Sequence, residues 1–128
     1  MNIYSGSGGL GSALTNPTEL ARHKGKLDRS YGILFNGRAY PDAETAYQRR
    51  KTGDVESDDN LMAEIIRTKL MQYPELLTEI NNRGGLEFLR NCVHFTGART
   101  SRFKSWEGRG EESRFIRNLI EGYIRATL

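Results

Sequence analysis

Asn36-Gly37-Arg38-Ala39-Tyr40-Pro41-Asp42-Ala43-Glu44-Thr45-Ala46-Tyr47-Gln48-Arg49-Arg50-Lys51 carries a hairpin turn, a strand and the start of a helix in one run of sequence. Asn36-Gly37 separates the β-type runs YGILF and RAY, and it is the pair a two-residue type I′ hairpin prefers, because both central residues need positive φ. Pro41 stops the second strand, since it has no amide to donate. Asp42 behind it is a strong N-cap, so a helix is expected through AETAYQRRK to about Lys51. On that helix Glu44, Gln48 and Lys51 recur at i, i+4 and i+7 and share a face, with Ala43, Ala46, Tyr47 and Arg50 on the neighbouring one. Glu44 also sits in the first turn, where the helix dipole favours its ionised form. A carboxylate, an amide and an amine facing one way suit a ligand site or an ordinary solvated face, and periodicity alone leaves both open.

Upstream, GSGGLG at residues 6–11 has the spacing of a dinucleotide-binding turn. The context fails: only five residues precede Gly6, and the expected helix starts at Asn16-Pro17, after the glycines. This points to a loop lying against a ligand, or simply a loop. Asn16 as N-cap, Pro17 at the first helical position and Glu19 in the first turn predict a helix over 17–23.

Downstream, TGDVESDD reads as an acidic connection before a helix over about 59–73. On it Leu61, Met62, Ile65, Ile66, Lys69 and Leu70 fall in a core-facing period. Pro74 opens a further helix, which Gly84-Gly85 ends, and LEFLRN is one more short segment. From Cys92 to Glu112 the helical period fades, and a loop of that length in a small domain is usually functional or disordered. Its aromatic residues argue against disorder. A last helix from about Ser113 presents Phe115, Ile116, Leu119, Ile120 and Tyr123 to the core. The expected architecture is α+β, a mainly helical single domain over residues 1–128: a small sheet around the hairpin, with the N-terminal strand a candidate member, among five or six helices.

At 128 residues the chain can bury a core without disulfides or metal. It has one cysteine, Cys92, no apolar run near the ~18 residues that span a bilayer, and no basic-then-apolar leader at Met1. These features predict a cytoplasmic protein with no membrane contact. The net charge is +3, from 14 Arg and 5 Lys against 16 acidic residues. Arginine's planar fork suits phosphate, although GC-rich coding also raises arginine content. Basic residues cluster in RHKGK at 22–26 and from Arg99 to Arg117, but Glu107, Glu111 and Glu112 interrupt the second cluster. A nucleotide-sized ligand fits that balance better than a long duplex does.

SWEGRG is the second candidate for chemistry. Trp106 can lay its ring over a base or sugar, and Arg109 can hold a phosphate; equally, the indole can plug the core edge beneath a loop. His94 and Cys92 have no second ligand pair at zinc spacing, so a structural role is expected and no metal or other cofactor is implied. No G-x-S-x-G elbow appears.

Taken in order, IYSGS…LTNP, NGRAYPDAETAYQRRK, LMAEIIRTKL and SWEGRG…SRFIRNLI resemble the NADAR family. Its members carry F-Y-S, then L-S-N, a G-x-x-Y/W-P-x-x-E-x-x-x-Q-x-x-K helix, an M-x-x-x-x-x-x-K-F helix and a late W-G loop. The resemblance spans nearly the whole chain, and the run from Pro41 to Lys51 is its most specific part. It implies an N-glycosidase, acting on phosphorylated ribosylamino-pyrimidine intermediates of riboflavin synthesis or on ADP-ribose attached to guanine. Carried over by position, Glu44 matches the catalytic glutamate, and Tyr47, Gln48 and Lys51 its helix partners. Tyr4 and Ser5 match the N-terminal motif, Asn16 the L-S-N asparagine, and Trp106 with Gly108 the late loop.

The connection after Lys51 is shorter than in the riboflavin-intermediate enzymes and lacks a tryptophan they carry. NCVHF replaces their acidic residues, and Ser113 stands where their last helix opens with asparagine. These departures favour the ADP-ribosylated guanine class, as nucleotide or nucleic acid. A module that binds ADP-ribose or NAD without cleaving it is a further reading of the same residues, and an accessory nucleic-acid-binding protein is another. In the enzyme reading Glu44 is the base or charge stabiliser, Trp106 stacks on the leaving base, and Arg109 and Arg114 hold phosphate. The acid is open among His94, Glu107 and the substrate itself.

Overall fold

The computed structural model describes residues 1–97 and 104–128 in full and the backbone of residues 101–103. Arg99, which opens the second basic cluster, lies outside the described residues. The hairpin forms as its turn residues require: β1 (Ile33–Phe35) pairs antiparallel with β2 (Arg38–Tyr40), Phe35 opposite Arg38. Asn36 (φ 50°) and Gly37 (φ 78°) both take the left-handed region that the two-residue turn demands. Asp42 then caps α3 (Ala43–Arg50), its carboxylate accepting from the Thr45 amide and hydroxyl at 2.8 Å. Lys51 is the extended residue that closes this helix.

Around this unit the described residues form seven α-helices, mainly helical α+β as expected, and the sequence boundaries move in four places. A short helix, α1 (Gly9–Ala13), opens inside the glycine run read as a loop. The cause is Ser12, whose hydroxyl accepts from the Gly8 amide at 2.7 Å and donates to the Ser5 carbonyl at 3.0 Å, winding the segment up. The next helix, α2 (Thr18–His23), is capped at Pro17 and not at Asn16. Asn16 instead uses its carbonyl, which accepts from the Thr18 amide at 2.9 Å and the Glu44 amide at 3.1 Å. α4 (Val55–Gln72) starts four residues before the expected Asp59, because Asp54 caps it through the Ser57 amide at 2.9 Å and Glu56 and Asp58 favour its first turn. The acidic run taken for a connection is therefore mostly helix.

The fourth change concerns the N-terminal strand. It does not join the hairpin: Ile3 donates to the Val93 carbonyl and Val93 to the Met1 carbonyl, both at 2.8 Å. Val93 belongs to a second small sheet, β3 (Val93–His94) with β4 (Gly108–Arg109). Between them runs a 3-10 helix, Ser101–Trp106. α5 (Pro74–Asn82) and α6 (Leu86–Arg90) lead into this sheet.

α7 (Arg114–Thr127), capped by the Ser113 hydroxyl, lies along α4 as the main helix pair of the core. Their seam buries Met62, Ile65 and Ile66 against Ile116, Leu119 and Ile120. No helix among the described residues is long and apolar enough to cross a membrane.

Candidate functional site

The N-terminal segment, α2, α3, the edge of the β3–β4 sheet and the facing ends of α4 and α7 leave a cleft of about 760 Å³ between them. Nine residues singled out in the sequence line it together: Tyr4 and Ser5 from the N-terminal segment, Asn16 before α2, Glu44, Tyr47 and Gln48 on α3, Lys51 behind it, and Trp106 and Arg114 from the C-terminal part. Gly108 and Arg109 are not in its wall. Strand pairing of β4 with β3 turns them elsewhere, and the exposed Arg109 guanidinium donates to the Asn91 carbonyl at 3.2 Å. The phosphate-holding role expected of Arg109 is therefore withdrawn.

Glu44 is placed by backbone and side chain. Its amide donates to the Asn16 carbonyl at 3.1 Å, and its carboxylate accepts from the Gln48 amide at 2.7 Å, the i, i+4 pairing the sequence implied. Burial raises its pKa above the usual carboxylate range; the Asp42 charge adds to this, while the Gln48 bond and the Lys51 ammonium oppose it. A carboxylate so destabilised binds protons more avidly than one in water.

Arg114 stands differently from expectation. Its Nε donates to Asp59 at 2.6 Å, and its guanidinium lies 4.1 Å from the Trp106 ring centroid. The Tyr47 ring meets Trp106 edge-on at 6.1 Å. Trp106 is thus held between a cation and an aromatic edge, and Arg114 has its charge matched before any ligand arrives.

Both protein candidates for the acid also line the cleft. His94 shares a 2.6 Å hydrogen bond between Nδ1 and the Ile3 carbonyl. A carbonyl only accepts, so Nδ1 carries the proton and the neutral ring keeps Nε2 as an acceptor. Burial lowers the His94 pKa, with the Ile3 bond and Glu107 opposing, so at neutral pH the ring is a poor proton source. Glu107 is engaged by the Thr96 amide and hydroxyl.

Sequence reasoning missed Lys24, Asp58, Met62 and Phe115 as lining residues. Asp58 fixes the turn after Lys51, accepting from the Thr52 amide at 2.7 Å and the Gly53 amide at 2.9 Å. The Asp54-x-x-Ser57 cap that begins α4 was the available signal for it. Among the described residues no three His, Cys, Asp or Glu are grouped to hold a metal ion.

Beneath the cleft floor Lys69, 2% exposed, donates to the Thr15 carbonyl at 2.7 Å. Burial depresses its pKa to about 7, with Asp42 opposing. The unfolded chain keeps this proton to its ordinary value near 10.5, so the group makes stability rise with pH from about 7 to about 10.5 and leaves it flat below 7. Replacing Lys69 with Met is expected to raise the melting temperature at pH 6. The removed cost of burying charge is of order a few kcal/mol, against about 1–3 kcal/mol for leaving the Thr15 carbonyl without its donor. Thermal melts of both proteins at pH 6 and pH 9.5 check this; parallel pH profiles would refute it.

No protein-family profile, curated protein or solved structure matches the chain.

Proposed function

We propose that the protein is an N-glycosidase that hydrolyses a ribosyl N-glycosidic bond, with ADP-ribose attached to guanine as the favoured substrate class. The observation that carries this reading is Glu44: a carboxylate in an aromatic-walled cleft, its pKa raised by burial and its orientation set by Gln48 and the Asn16 backbone. Cleavage passes through an oxocarbenium-like state, in which positive charge gathers at the sugar C1. A carboxylate near C1 stabilises that charge and takes a proton from the attacking water as the water oxygen bonds to C1. The pair of the broken C1–N bond leaves with the base nitrogen, which takes up a proton. A carboxyl with a raised pKa is suited to returning the proton it has just accepted.

Trp106 and Tyr47 supply aromatic surface for the leaving base, and Gln48 and Asn16 supply polar partners for ribose hydroxyls. The test is product analysis. Incubation with ADP-ribosylated guanine nucleotide, ADP-ribosylated nucleic acid and phosphorylated ribosylamino-pyrimidines should yield free ADP-ribose and the unmodified guanine nucleotide or nucleic acid from the first or second, read by mass. Release from the pyrimidine alone would move the substrate to the riboflavin class. Tight binding with no product from any of them would leave a non-catalytic module.

A further inference from the structure

With Arg109 turned away, Arg114 matched to Asp59 and Lys51 set against the Glu44 charge, Lys24 is the remaining lysine in the cleft wall to meet an anion. It lines the cleft just past the end of α2, and its ammonium donates to the Ser5 hydroxyl at 2.7 Å. Among the described residues no carboxylate lies within ion-pair distance of Lys24, and residues 98–103 contain no Asp or Glu. Its neighbour Arg22, by contrast, is tied to Glu19 by two bonds.

Ser5 is itself buried, and its carbonyl is fixed by the Ser12 hydroxyl at 3.0 Å, so Lys24 rests on a formed support. A hydroxyl that accepts from an ammonium still has its own hydrogen to give. The pair therefore offers two ammonium N–H groups and one O–H to a ligand oxygen. A second observation concerns Asn16, also in the cleft wall. Its side-chain oxygen is buried with no donor among the described residues. Such an acceptor calls for a hydroxyl from the occupant.

We propose that Lys24 and Ser5 form the phosphate subsite of the cleft, with Asn16 accepting from a hydroxyl of the same ligand. The ligand class is a phosphate ester of a sugar, either a monoester or a pyrophosphate. This inference rests on the ribosyl reading of the cleft and assigns its anion anchor to a residue that reading did not include.

Calorimetry with ribose, ribose 5-phosphate and ADP-ribose tests it on the wild type, Lys24→Met and Lys24→Arg. The wild type should bind the phosphorylated sugars and bind ribose far more weakly. Lys24→Met should weaken phosphorylated sugars by about 10- to 100-fold, the range for a charge-assisted bond, and leave ribose unaffected. Lys24→Arg should recover part of the loss. A larger loss for ribose 5-phosphate marks a monoester site, and a larger one for ADP-ribose a pyrophosphate site. Lys24 is exposed, so melting temperatures should match across the variants.

Equal affinity in wild type and Lys24→Met, or no preference of the wild type for phosphorylated over plain sugar, overturns the subsite. If binding depends on Lys24 but no substrate is cleaved at its ribosyl C1–N bond, the subsite stands and the glycosidase reading falls.

Discussion

Glu44→Gln is expected to lower N-glycoside cleavage by roughly 10²- to 10⁴-fold, the range for losing a positioned acid–base group. It should leave the melting temperature at pH 7 unchanged or raised. The two halves of this expectation have one cause. Burial raises the Glu44 pKa, so the folded state holds the proton more tightly than the unfolded chain does. As pH rises past the ordinary value of 4.5 the unfolded chain ionises first, and stability falls until the folded-state pKa is passed. Above the folded-state pKa the ionised form carries that cost in full. Glutamine has the same shape, its oxygen can still accept from Gln48, and its backbone amide still donates to Asn16.

Opposing this, a charge is lost in the first turn of α3, where a carboxylate contributes about 0.3–1 kcal/mol. Wild type and variant should therefore differ in the acid limb of a stability–pH curve, with the wild type alone declining above pH 4.5. Steady-state release of ADP-ribose by the two proteins, alongside melts from pH 4 to pH 8, reads both. A variant that turns over normally ends the assignment of Glu44, and one that melts well below the wild type would make any lost activity a folding effect.

Local chemistry was legible in the sequence, and distant pairing was not. Asn36-Gly37 and Asp42 announce the hairpin and α3 because a turn type and a cap are decided within a few residues. The partner of the N-terminal strand is Val93, far along the chain, and no local pattern specifies it. The same distinction runs through the cleft. Glu44 and Gln48 share a face by helical period, so their hydrogen bond could be anticipated. Lys24 reaches Ser5 only because α1 and α2 fold back over the N-terminal segment.

Arg109 and Arg114 looked equivalent as phosphate holders in the sequence. A strand pairing separates them: β4 takes Arg109 to the Asn91 carbonyl, while the start of α7 delivers Arg114 to Trp106 and Asp59. Composition misled at the glycine run that holds α1 and again at the start of α4, where an acidic run that suits a loop suits a helix N-terminus equally well.

Gly122→Val is expected to give the largest loss of stability of any substitution outside the cleft considered above, and to disturb the cleft with it. Gly122 is buried on α7 facing α4. A Cβ there would lie 2.6 Å from Ile66 Cγ2, 2.8 Å from Ile66 Cβ and 3.0 Å from the Ala63 carbonyl oxygen. Neither the branch point of Ile66 nor a helical carbonyl can swing aside, so the helices must part. Overpacking of this kind costs typically about 1–3 kcal/mol. For Ala, the gain of about 1 kcal/mol in helix propensity over Gly offsets part of it; Val adds two methyl groups and a weaker propensity, so little offsets it. A loss of about 3 kcal/mol corresponds to a melting temperature lower by roughly 10 °C in a chain of this size.

The functional effect follows from where this helix pair ends. α4 brings Asp59 and α7 brings Arg114 to their 2.6 Å contact, and Arg114 in turn lies on Trp106. Parting the helices loosens that contact, so below its melting temperature Gly122→Val should bind the leaving-base end of the ligand more weakly, with Gly122→Ala intermediate. Thermal melts and tryptophan fluorescence, which reports the one indole beside Arg114, measure the two effects together. A Val variant that melts with the wild type would show that the α4–α7 seam has room it is not expected to have. One that melts early with unchanged fluorescence below the transition would uncouple the seam from the cleft.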